Sequence, residues 1–181
     1  MIVSGVSPDC GRLELIAYGA RKIGEKKFPV VDLFAELEVE FEPAENGLSK
    51  LREAELLTSF AAVAEDLAIF RLAGKIGTFI LKNSAPELPM ALSYDALRNV
   101  LGNLALRAAG EESVWPPEAA GVVIKLVFLQ ENGLLPEFDR PEAGALFDAI
   151  AEAGIEGTPL PDYPAEYWTR LGAYLNTLLP Q

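Results

Sequence analysis

The 181-residue sequence contains no histidine and only one cysteine, Cys10. Without histidine, the commonest general base and metal ligand are missing, and every Ser-His or Cys-His nucleophile is excluded. A lone cysteine excludes an internal disulfide, a zinc ribbon and a Cys-x-x-Cys motif; this usage fits a reducing cytoplasm, the expected compartment. No apolar run is long enough to span a bilayer, since the longest, 119–129, is interrupted by Lys125. The N-terminus lacks the charged start, apolar core and cleavage site of a signal peptide. Gly19 and Gly24 do not form a phosphate-cradling pattern. Glu36 and Glu38 alternate along a strand and read as a solvated face rather than an acid–base pair. Cys10, in a turn beside Asp9, reads as an inert or mildly oxidisable thiol. The expectation is a protein that is not an enzyme and uses no metal or cofactor.

Cations are also scarce, and their placement is uneven. The net charge is −12, from 15 basic and 27 acidic residues, which argues against a large duplex-DNA footprint. Five cations (Arg12, Arg21, Lys22, Lys26, Lys27) nevertheless lie between positions 12 and 27, against Glu14 and Glu25. Six acids and no base follow between Asp32 and Glu45. Any contact with a polyanion is therefore confined to the first part of the chain.

Hydrophobic residues make up 50% of the chain, enough for an ordinary globular core. Residues 1–57 read as strands. Met1–Val6 is β-branched and apolar, and Ser7-Pro8-Asp9-Cys10-Gly11 is turn chemistry. Arg12–Tyr18 places Leu13, Leu15 and Ala17 on one face. Phe28–Phe41 is the next strand region; its second half alternates Ala35, Leu37, Val39 and Phe41 with Glu36, Glu38, Glu40 and Glu42. Glu45-Asn46-Gly47 is a hairpin signal, and 48–57 returns as a strand or opens a helix.

From about Thr58 the period becomes helical, with Phe60, Val63, Leu67, Phe70, Gly74, Gly77 and Leu81 on one stripe and Thr58 or Ser59 as cap. Close packing is the expected reason for the two stripe glycines. Further helices are expected over 93–109, 118–131, 141–153 and 164–179, the second of them apolar nearly all round and hence central. Strands followed by helices predict an α+β chain: a small OB-like antiparallel β-barrel over 1–57, then an all-α helical domain over 58–181. An SH3-like barrel would give the same pattern.

The run Gly11–Lys22, then Pro29-Val30-Val31-Asp32-Leu33-Phe34-Ala35-Glu36-Leu37, then 47–60 with Leu51-Arg52-Glu53-Ala54-Glu55-Leu56, resembles the RecO family of recombination mediators. The order and spacing of these motifs carry the resemblance, which extends to about residue 135 through Phe128-Leu129-Gln130-Glu131-Asn132-Gly133-Leu134-Leu135-Pro136. It implies an N-terminal OB domain and a C-terminal helical domain. It also implies single-stranded DNA binding, strand annealing, loading of RecA together with RecR, and docking of the acidic tail of the single-strand-binding protein. Three departures accompany it. Family members have a further strand before the segment that opens here at Met1, so the expected barrel lacks its first strand and has an open edge. The four-cysteine zinc module of many members has no counterpart in 134–181, which contains no Cys or His. The overall acidity is unusual, and the four-glutamate strand face would repel phosphates.

The DNA-contact candidates are Arg12, Arg21, Lys22, Lys26 and Lys27, with Tyr18 as a base-stacking side chain. The alternative for these cations is a set of cross-strand ion pairs with Glu36, Glu38, Glu40 and Glu42. Phe28 reads as a packed barrel aromatic. Arg71, Lys75, Lys82, Arg98, Arg107 and Lys125 are candidates to ring a groove for an acidic partner tail, or are solvated helix positions. Lys125, in an apolar helix, needs a partner or an exit to water. Trp115 and Trp168 read as packing anchors. The leading expectation is a DNA-binding RecO-like mediator. The alternative is a protein-interaction module on the same fold that binds RecR or the tail with little DNA affinity.

Overall fold

The computed structural model describes residues 1–19, 28–44 and 47–179. Four strands come first: β1 (Ile2–Ser7), β2 (Gly11–Ile16), β3 (Ala35–Glu42) and β4 (Ser49–Ser59). Five helices follow: α1 (Leu67–Asn83), α2 (Ala91–Ala108), α3 (Pro117–Glu131), α4 (Pro141–Glu156) and α5 (Ala165–Leu178). The fold is α+β, with an OB-like N-terminal domain and a helical remainder.

The turn at Pro8-Asp9-Cys10 folds β1 onto β2 as an antiparallel hairpin, in register from Ile2↔Ile16 to Ser7↔Gly11. β3 and β4 form a second antiparallel pair, from Ala35↔Ser59 to Glu42↔Lys50, with irregularities between Glu36 and Leu37 and between Glu40 and Phe41. The sheet order is β1-β2-β4-β3, and its centre is a short parallel joint, Leu15↔Ser49 and Ile16↔Lys50. The sheet is therefore not wholly antiparallel. Among the described residues it is also not closed, because β1 and β3 are outer strands rather than mutual partners.

Two element boundaries differ from the sequence reading. The segment 28–34 forms turns, not the first half of a strand. Pro29 lacks an N–H, the Asp32 carboxylate accepts from the Leu33 N–H at 2.7 Å, and Phe34 has a left-handed φ of 54°. Helix also begins later than Thr58. β4 runs through Ser59, a short 3-10 helix spans Ala61–Glu65, and the Asp66 carboxylate caps α1 by accepting from the Ala68 and Ile69 N–H groups. The buried face of α1 is consequently Ile69, Ala73, Ile76 and Ile80. The stripe through Leu67, Gly74 and Gly77 is a neighbouring one. A Cβ on Gly74 would meet nothing within 4 Å, so close packing does not account for that glycine.

Helix α3 is the axis of the helical half. Ala119, Val123, Leu126, Val127 and Leu129 are all fully buried, as its all-round apolarity predicts. Around it pack α1, α2, α4 and α5, with Trp115 and Trp168 as buried anchors. The Trp115 indole N–H donates to the Thr158 carbonyl at 2.7 Å. At its C-terminal end, the Glu131 carboxylate accepts from the Leu92 and Ser93 N–H groups at 2.9 and 3.0 Å, so α3 caps the first turn of α2.

The sheet and the bundle meet along a seam of backbone hydrogen bonds. The Arg12 N–H donates to the Ala85 carbonyl, Glu87 N–H to Cys10, and Met90 N–H to Pro8, at 3.0, 2.9 and 2.9 Å. Gly11 sits at φ +66°, and a Cβ there would lie 2.3 Å from both the Ala85 and Leu88 carbonyl oxygens. The approach of two backbones thus requires glycine at this position. A second clasp lies on β3: Glu36, largely buried, accepts from the Arg98 guanidinium at 2.7 Å and from the Tyr94 hydroxyl at 3.2 Å.

Candidate nucleic-acid interface

The sheet has a small core of its own: Leu15, Ala17, Phe28 and Leu51 are buried, with Met1, Val3, Leu13, Val39 and Phe41 around them. Alternation along β2 places Leu13, Leu15 and Ala17 inward, as read from the sequence. The chain beyond β2 is held at Ala17, whose N–H donates to the Met1 carbonyl at 2.8 Å and whose carbonyl accepts from the Met1 amino group at 3.2 Å. Tyr18, one residue on, turns outward and is 58% exposed. The parallel joint places Lys50 of β4 beside Ile16, and its ammonium sits 5.7 Å from the centroid of the Tyr18 ring. At that distance the cation is attracted to the negative face of the ring.

Lys50 was not singled out in the sequence. Its signal would have been its place at the start of β4, directly across from Glu42. The Glu42 carboxylate is itself engaged by the Arg52 guanidinium. No carboxylate among the described residues lies within ion-pair distance of Lys50.

Arg12 has a different setting. Its guanidinium Nη1 donates to the Leu81 carbonyl at 3.2 Å, in the last turn of α1, and its Nε lies 3.8 Å from Glu14. A cation at the carbonyl end of a helix is favoured by the helix dipole. Arg12 therefore links the sheet to the bundle, and the cross-strand pairs between Arg12 and Glu36, Glu38, Glu40 or Glu42 do not form. Arg21, Lys22, Lys26 and Lys27 lie outside the described residues.

The acidic face is organised differently from a neutralised one. Glu38 is opposite Glu55 and Glu40 opposite Glu53, all exposed. Directly facing like charges on a sheet are mildly destabilising and repel anions. Lys50 and the row Glu38–Glu42 share a face, so a polyanion reaching Lys50 approaches from the β2 side.

The helical cations do not gather around one groove. One groove, of about 510 Å³, lies between the end of β4 and α2, and Arg98 is its cation beside Phe60, Gly102 and Glu111. A second, of about 340 Å³, lies between α1, α3 and α5 and includes Lys125, Gly121, Trp168 and Gly172. Arg71, Lys75, Lys82 and Arg107 are exposed and line neither. Lys125 finds the partner its helix demanded: its ammonium donates to Asn176 Oδ1 at 2.7 Å, and burial holds its pKa below the usual lysine value. Among the described residues no group of His, Cys, Asp or Glu is placed to hold a metal ion, and no described helix is long and apolar enough to cross a membrane.

Residues 1–60 match the family model described as Recombination protein O N terminal. The chain carries a RecO-family N-terminal domain. The match ends one residue after β4, so the RecO domain coincides with the open sheet and both of its hairpins. The match supports a recombination and repair role of the RecO type. No curated protein matches the sequence significantly.

Proposed function

We propose that the protein is a non-catalytic recombination and repair mediator that acts in the cytoplasm, binds single-stranded DNA through its RecO-type sheet and anneals complementary strands. The match of residues 1–60 to the RecO N-terminal model carries this reading. The exposed Tyr18 ring with the Lys50 ammonium beside it supports it, as an aromatic and a cation that no described carboxylate neutralises. Annealing follows from neutralisation: cations on the sheet lower the repulsion between two phosphate backbones. Loading of RecA together with RecR is the corresponding role on longer strands.

Few phosphates are contacted on so acidic a protein, so affinity is modest. With about three contacts, binding to a single strand falls roughly ten- to twenty-fold between about 50 and 200 mM salt. A titration of a labelled oligothymidylate at those two salt concentrations, followed by an annealing assay with complementary oligomers, tests the reading. Absence of binding at the lower salt overturns it.

A second reading concerns the helical half, where the Lys125 ammonium borders the 340 Å³ groove beside Trp168. An acidic, apolar-ended tail such as that of the single-strand-binding protein has the matching chemistry, and RecR is the other partner this reading holds. Binding of a tail peptide that survives Lys50→Gln but weakens with Lys125→Gln supports it; a tail peptide that does not bind excludes it.

A further inference from the structure

We propose that Tyr18 and Lys50 form a platform for one nucleotide, the Tyr18 ring stacking on a base and the Lys50 ammonium meeting the adjoining phosphate. The proposal rests on the single-stranded-DNA reading above and assigns it a position. Three observations carry it.

The first is exposure. Tyr18 is 58% exposed, although the residue before it is fully buried and pinned to Met1 by two hydrogen bonds. The ring therefore projects from a fixed backbone. An aromatic ring open to water in the turn just beyond β2 is what a base can stack on.

The second is the position of the cation. The Lys50 ammonium is 5.7 Å from the ring centroid, held there by the Ile16↔Lys50 pairing of the parallel joint. A nucleotide presents a base and a phosphate together, so one nucleotide can engage both groups. The third is electrostatic. Glu42 faces Lys50 across the strands, and Arg52 occupies its carboxylate. Lys50 is thus left without an ion pair among the described residues, while Glu38 and Glu40 further along β3 repel phosphate and bias the strand toward β2.

Two ligands of equal length separate the outcomes: an oligothymidylate and the same backbone built of abasic sites, each titrated at low salt by fluorescence anisotropy. The wild-type protein is expected to bind the base-bearing strand about ten-fold more tightly. Tyr18→Leu is expected to remove that difference by weakening only the base-bearing strand, whereas Tyr18→Phe retains it. Lys50→Gln is expected to weaken both strands and to reduce the salt slope by about 0.7, one single-strand phosphate contact, with Lys50→Arg close to wild type. Both tyrosine variants are at an exposed position, and an unchanged melting temperature verifies folding. Failure of both strands to bind wild type overturns the DNA-binding reading and the platform with it. Binding that ignores the bases, or a base preference that survives Tyr18→Leu, overturns the platform alone.

Discussion

The two halves of this molecule bury their apolar residues to very different degrees. The helical half packs around α3, and its core extends from Phe60 to Leu175. Among the described residues, the sheet half buries a small core of Leu15, Ala17, Phe28 and Leu51, and leaves Ile2, Tyr18, Leu33, Leu56 and Leu57 exposed. Stability therefore resides in the helices, whereas the sheet is a thin surface held in place by them. The hydrogen bonds from the 8–12 turn to the 85–90 connection, and the Glu36 clasp to Arg98 and Tyr94, are how the bundle supports it.

The comparison can be broken most severely from inside the bundle. Ile124→Ala removes a side chain that is 1% exposed, and it is expected to cost about 2–5 kcal/mol, read by chemical denaturation. Gly11→Ala attacks the seam: the left-handed φ and the two close carbonyl oxygens together predict a loss of about 2–4 kcal/mol. If Gly11→Ala proves neutral, the sheet is not welded to the bundle as described. Leu57→Ser, at an exposed position of β4, is expected to change stability by less than about 0.5 kcal/mol.

Two predictions sharpen the comparison through charge. Glu38→Gln with Glu40→Gln is expected to strengthen oligothymidylate binding several-fold at low salt and scarcely at high salt, since it removes exposed repulsion. An unchanged affinity would mean that the strand passes far from β3. Tyr94 marks the clasp. Burial first, and then the Glu36 carboxylate that accepts its hydrogen bond, push its pKa up to about 12 from an ordinary value of 10.0. The folded state thus holds a proton that the unfolded state releases, so this contribution is intact below pH 10 and is lost as pH rises through about 12. In a spectrophotometric titration of the five tyrosines, the step near 12 is expected to vanish in Tyr94→Phe.

Much of this division was legible in the sequence. The β1–β2 turn, the Glu-rich alternation of β3 and the all-round apolarity of α3 each follow from local chemistry that tertiary structure does not override. The start of α1 was not legible, because Leu67, Phe70 and Leu81 compete with Ile69, Ile76 and Ile80 for the buried face, and packing against the rest of the fold decides between them. The parallel β2–β4 joint was also hidden, since two residue pairs set by a long connection leave no periodic trace. For the same reason the sequence does not mark Lys50: it lies beside Tyr18 only through that joint. Arg12 was visible as a cation, but its engagement with the end of α1 depends on a contact 69 positions away in sequence.

The central claim is that the sheet half carries the nucleic-acid surface and the helical half is its support. Amide hydrogen exchange of the full chain, with and without saturating oligothymidylate at low salt, tests it directly. The account predicts new protection around Tyr18 and Lys50, at the β2–β4 joint, with α3 and α4 unchanged. Protection confined to the helices, with the joint exchanging as in the free protein, would contradict it.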